Sequence, residues 1–179
     1  MNAPTGRWKD GLCDFCSAGI FHPSFWCALY TQIGVGQVMS RMELTWLGEV
    51  GPRVATEKTF QVVLLLVACY YVFSTFLLIA AGPYDRAEEM PQIIPVLKIL
   101  GSLLYSVWAV YSLCKTRENV RARYQIPERH CQGCEDVCLA AWCGCCVTAQ
   151  LLRHTGEYEN YPGTCFTETG LPPGTPSVV

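Results

Sequence analysis

Six of the chain's twelve cysteines fall between Cys131 and Cys146, in CQGCEDVCLAAWCGCC. Thiolate sulfur is a favoured ligand of zinc, cadmium and copper(I), so such a cluster could hold a soft ion. The same thiols could also form disulfides, carry S-acyl chains, or serve as small residues that let helices pack closely in lipid. Cys13 with Cys16, and Cys131 with Cys134, make two Cys-x-x-Cys pairs. Together they could complete a four-thiolate zinc site, although the chain between them is far longer than in a local zinc ribbon. On a single helix, Cys131, Cys134, Cys138, Trp142 and Cys145 would share one stripe, at steps of three, four, four and three. Cys143 and Cys146 would sit beside it, with Glu135 and Asp136 offering oxygen donors at its end and His130 an extra nitrogen. His154, beside Arg153 at the end of an apolar run, is expected to be a solvated end residue. No nucleophile elbow, HExxH, P-loop or dinucleotide fingerprint is present, so the chain does not read as an enzyme.

What must position these thiols is a membrane. Hydrophobic residues make up 51% of the 179-residue chain and charged residues 16%, against about 25% charged in a soluble domain. From Phe60 to Ala81 runs FQVVLLLVACYYVFSTFLLIAA, without a charge. At about 1.5 Å per residue it reaches about 33 Å, the thickness of a bilayer's hydrocarbon core. A second span is expected from Val96 to Cys114, its one charge, Lys98, near the N-terminal end where the ammonium can reach headgroups. Residues 82–95, GPYDRAEEMPQIIP, read as an extracytoplasmic turn. Two more stretches lack charge, Phe15 to Ser40 and Val137 to Leu152, but are interrupted or short; each could lie in the interface or dip into the membrane. Residues 131–154 read as one cysteine-rich amphipathic or interfacial helix, and residues 155–179, rich in Pro and Gly, as an irregular tail. The expected fold is all-α: a two-helix transmembrane hairpin within one cysteine-rich domain spanning residues 1–179.

Basic residues give the sidedness. Arg41, Arg53 and Lys58 precede the first span, and Lys115, Arg117, Arg121, Arg123 and Arg129 follow the second; the turn has Arg86 alone among Asp85, Glu88 and Glu89. The positive-inside rule then puts both termini in the cytoplasm. No secretory signal is read in MNAPTGRWKDGLCDF, and no Asn-x-Ser/Thr site occurs. Ten of the twelve cysteines would face reducing cytosol, which ranks disulfides last among the explanations. The net charge of −2, with no basic stripe, argues against nucleic acid as a partner.

Four stretches together resemble the cysteine-rich family named after a placenta-specific gene, which includes cornifelin, the plant cadmium-resistance proteins and the plant fruit-weight cell-number regulators. They are WKDGLCDFC (Trp8 to Cys16), FWCALYTQIGVGQVMSRME (Phe25 to Glu43), RARYQIP (Arg121 to Pro127) and CEDVCLAAWCGCCVTAQLLR (Cys134 to Arg153). The resemblance implies a small, self-associating protein of the plasma membrane, linked in some relatives to zinc or cadmium export, in others to calcium influx or cell number. Many plant relatives carry two adjacent cysteines, four residues, then Cys-Pro-Cys. Here those positions read Phe21-His22 and Cys27-Ala28-Leu29, leaving Cys27, with His22 as a substitute donor.

The expected function is therefore handling of divalent metal by an oligomeric membrane protein. The alternative is a non-transporting scaffold or growth regulator whose cysteine-rich ends bind zinc or protein partners.

Overall fold

The computed structural model describes residues 3–12, 14, 30–82, 91–128, 131–158, 161, 163–164 and 166–175. Its described elements are α1 (Thr31–Arg41), α2 (Arg53–Thr56), α3 (Thr59–Ala81), α4 (Ile93–Tyr124), α5 (Glu135–Trp142) and α6 (Gly144–Thr155). Helices α3 and α4 are long and apolar enough to cross a bilayer, with mean hydropathies of 2.6 and 1.9 over their most apolar stretches. Side chains that a soluble protein would bury (Leu65, Val72, Phe76 and Ile79 on α3; Ile99, Leu103, Leu104 and Val107 on α4) point outward. Lipid is the solvent in which that surface costs nothing. The two helices meet through stacked rings of Tyr70 and Tyr105, whose centroids are 3.9 Å apart. At Gly101 a Cβ would lie 2.8 Å from the Phe73 ring, so glycine lets the helices close there.

The second span was expected to end at Cys114; its helix continues to Tyr124. Only the apolar run stops at Cys114. KTRENVRARY carries no helix breaker, and the helix ends where Gln125 turns left-handed at φ 55° with Pro127 just behind. This protruding end of α4, the first turns of α3, and helices α1, α5 and α6 form a headpiece around Val35, Met39, Val63, Leu113, Val120, Val147 and Leu151. The apolar run ending at Ser40 is thus, over α1, packed inside the headpiece. Gln32 through Met39 are buried, with Gly36 close against Val63 and Phe60.

The loop after α1 is pressed onto α4. Gly48, at φ +80°, approaches so closely that a Cβ there would lie 2.6 Å from the Ser112 carbonyl oxygen and 2.8 Å from the Thr116 nitrogen. Asn119 Nδ2 donates to the Gly48 carbonyl at 2.9 Å. Gly48→Ala is therefore expected to destabilise the headpiece by about 2 kcal/mol, read as a lower chemical-denaturation midpoint in detergent. An unchanged midpoint would show that the loop does not hold α4.

The described residues of the tail past Thr155 are docked on the headpiece. Gln37 Nε2 donates to the carbonyls of Thr164 and Thr167, and Arg41 Nε to that of Thr169. Arg41 also donates to the Leu152 carbonyl at 3.1 Å, satisfying a carbonyl in the last turn of α6.

Candidate functional site

The cysteine-rich segment is not one helix. α5 and α6 meet at 112°, and Cys143 at the corner has non-helical φ −130° and ψ 38°. α5 runs down α4 toward the bilayer. A straight continuation would carry Gln150, Arg153 and His154 into hydrocarbon, where polar groups without partners are costly. The bend returns them to the headpiece. The single stripe of Cys131, Cys134, Cys138, Trp142 and Cys145 is therefore broken. Cys131 and Cys134 precede α5, Cys138 and Trp142 lie one turn apart on it, and Cys145 is the second residue of α6.

A second correction concerns oxidation state. Cys131 and Cys134 form a disulfide, with Cα atoms 5.5 Å apart, where disulfides had ranked last. Gly133, at φ +81°, makes the turn that brings the two sulfurs together. In this form neither sulfur is a thiolate donor. Cys138 and Cys145 are exposed, and Cys143 and Cys146 half-buried, all four reduced. The Cys145 and Cys146 sulfurs are 3.9 Å apart. Among the described residues no three His, Cys, Asp or Glu side chains are grouped as a metal site. Cys13, Cys16, His22, Cys27 and His130 lie outside the described residues.

Asp136 is held by arginines, not offered to the cysteines. Arg117 Nε donates to its Oδ1 at 2.9 Å, and Arg121 Nε reaches both carboxylate oxygens at 3.0 Å. Glu135 accepts from Arg117 Nη2 at 3.3 Å. The reason is the continuation of α4: it places Arg117 and Arg121 one turn apart on the face that α5 covers.

Arg117, only 2% exposed, is the node of this headpiece. Besides the two carboxylates it donates through Nη1 to Gln150 Oε1 at 2.8 Å, and its guanidinium lies 4.6 Å from the Trp8 ring centroid. Gln150 in turn donates to the Asp10 carbonyl at 2.9 Å, and Arg153 Nε to Asp10 Oδ2 at 3.0 Å. The N-terminal strap Trp8–Leu12 is thereby tied to α4, α5 and α6. Sequence reasoning missed this cluster, although its signal was present: two arginines at i and i+4 facing a Glu-Asp pair.

His154 is not solvated but 1% exposed, edge-on to both Trp8 and Tyr124. Its Nδ1 accepts from the Lys9 backbone N–H at 3.2 Å. Burial lowers its pKa to about 4; Asp10 opposes that shift and Lys9 adds to it.

These features define an all-α membrane protein with a two-helix hairpin and a small cysteine-rich headpiece. The model of the PLAC8 family matches residues 8–154, and the chain belongs to that family. The first and last matched residues, Trp8 and His154, touch, with ring centroids 5.1 Å apart, so the matched segment closes on itself through the headpiece core. No curated protein and no solved structure matches the chain.

Proposed function

We propose that the protein is a non-transporting membrane scaffold. Its hairpin anchors a rigid headpiece on one face of the membrane, where copies associate and protein partners dock. The Arg117 node supports this reading. One buried guanidinium engages Asp136, Glu135, Gln150 and Trp8, joining strap, α4, α5 and α6 into one body. The acidic donors nearest the cysteines are engaged inside that body, and two helices cannot by themselves enclose a hydrophilic path. Purified protein reconstituted into vesicles is expected to pass no more zinc or cadmium than protein-free vesicles. Metal flux that disappears in Cys138→Ala with Cys143→Ala would overturn the scaffold reading.

A second reading, handling of a soft divalent ion, is favoured by the four reduced thiols concentrated at the α5–α6 corner. Donors from Cys13, Cys16, Cys27, His22 or His130, or from a second copy, would have to complete the set. Under this reading elemental analysis of protein purified in mild detergent finds zinc, and the same double variant loses it.

A further inference from the structure

We propose that the α5–α6 corner seats in the bilayer leaflet on the headpiece side, and that Cys138 and Cys145 there are S-acylation sites. This goes beyond the scaffold reading and does not depend on it; it needs only the two membrane spans.

The depth of the corner follows from its neighbours. α5 descends alongside α4, with Asp136 beside Arg121 and Arg117 at the top. Lower down, Ala140 and Gly144 face Val110 and Leu113 across a cavity of about 290 Å³. A Cβ on Gly144 would lie 3.5 Å from Leu113 Cδ2. Leu113 stands just on the membrane side of Lys115, the first charge after the apolar run and ion-paired with Glu118 at 2.8 Å. The corner therefore lies at headgroup depth, continuous with the lipid-facing surface of the hairpin.

Its outer surface suits that depth. Trp142 is 87% exposed, and Val137, in the first turn of the same helix, is also exposed. In water that indole would be a large uncovered apolar surface, whereas the headgroup region is where tryptophan is enriched. Cys138 sits one turn before Trp142 on the same side of α5, and Cys145 follows it across the bend; both are exposed. Two accessible thiols thus flank an interfacial anchor, within reach of a long-chain acyl thioester dissolved in the leaflet.

The chemistry is acyl transfer without redox change. A cysteine thiolate attacks the thioester carbonyl, a new carbon–sulfur bond forms, the donor's carbon–sulfur bond breaks, and the donor leaves as a thiol that takes up the proton. The chain then enters the leaflet beside Trp142 and holds the corner down. Cys143 and Cys146, half-buried against the headpiece, keep their thiols.

The test is acyl exchange on the full chain expressed in eukaryotic cells. Thiols are blocked, thioesters are cleaved with neutral hydroxylamine, and the released thiols are mass-tagged. Wild type is expected to show one or two hydroxylamine-dependent tags, Cys143→Ser with Cys146→Ser the same number, and Cys138→Ser with Cys145→Ser none. Peptide mass spectrometry of wild type locates the acyl groups without relying on any variant's fold. Acyl chains on Cys138, on Cys145 or on both, with none on any other cysteine, sustain the proposal. It is overturned by an untagged wild type, by tags that persist in Cys138→Ser with Cys145→Ser, or by acyl groups found elsewhere.

Discussion

Arg117→Ala is expected to loosen the headpiece while leaving the hairpin in the membrane. The substitution removes a guanidinium that is hydrogen-bonded to Asp136, Glu135 and Gln150 and lies against the face of Trp8. Asp136 and Glu135 are each 7% exposed, so their charges would be left partly unpaired in a place that water reaches poorly. Removing one partner of a buried pair costs about 3–5 kcal/mol, of the same order as the whole stability of many small domains. Arg121 still bonds Asp136, which places the loss at the lower end of that range. Arg117→Lys keeps the charge but cannot serve three acceptors in one plane, so it should fall between wild type and Arg117→Ala. Hydrogen exchange in detergent would report this directly, with rapid exchange in α1, α5 and α6 and retained protection in the centre of α3. Wild-type protection throughout would mean that Arg117 is not the node.

Headpiece stability should fall as pH drops from about 6.5 to about 4, through His154. The folded state holds this imidazole neutral down to about pH 4, whereas an unfolded chain takes up the proton near 6.5. Over that window the unfolded state binds more protons, so stability is full above it and declines by about 1.4 kcal/mol per pH unit within it. The total is about 3 kcal/mol. Protonating Nδ1 would also set an N–H against the Lys9 N–H that now donates to it. Histidine hydrogen–deuterium exchange monitored by mass spectrometry gives the pKa of His154 directly, and denaturation midpoints across the window give the slope. A His154 pKa near 6.5, or a slope that is unchanged in His154→Gln, would contradict the buried geometry.

The same two residues show where sequence reasoning reached its limit. Arg117 reads as one of eight basic residues that orient the hairpin, and His154 as the polar end of an apolar run. Each judgement rests on neighbours along the chain. Arg117's partners lie 18 to 109 residues away, at Glu135, Asp136, Gln150 and Trp8, and His154 meets Trp8 and Lys9 from the other end of the chain. The cysteine stripe failed for a related reason. A helical wheel assumes one axis, and the 112° bend at Cys143 removes it. That bend is set by what α6 must return to, not by the corner residues alone.

What the amino-acid order determined unaided is the hairpin. Spanning a bilayer requires only length and apolarity in one continuous segment, and both are properties of neighbours in the chain, so α3 and the membrane part of α4 could be read directly. The four resembling stretches likewise carried the family. Only the folded chain decided that α4 runs on to Tyr124 to present Arg117, that Asp136 belongs to arginines, that His154 is buried, and that Cys138 and Cys145 flank an exposed Trp142. Those outcomes depend on which distant side chains meet at one point. A buried charge is tolerated only where its partners converge in space, and that convergence does not exist until the headpiece closes.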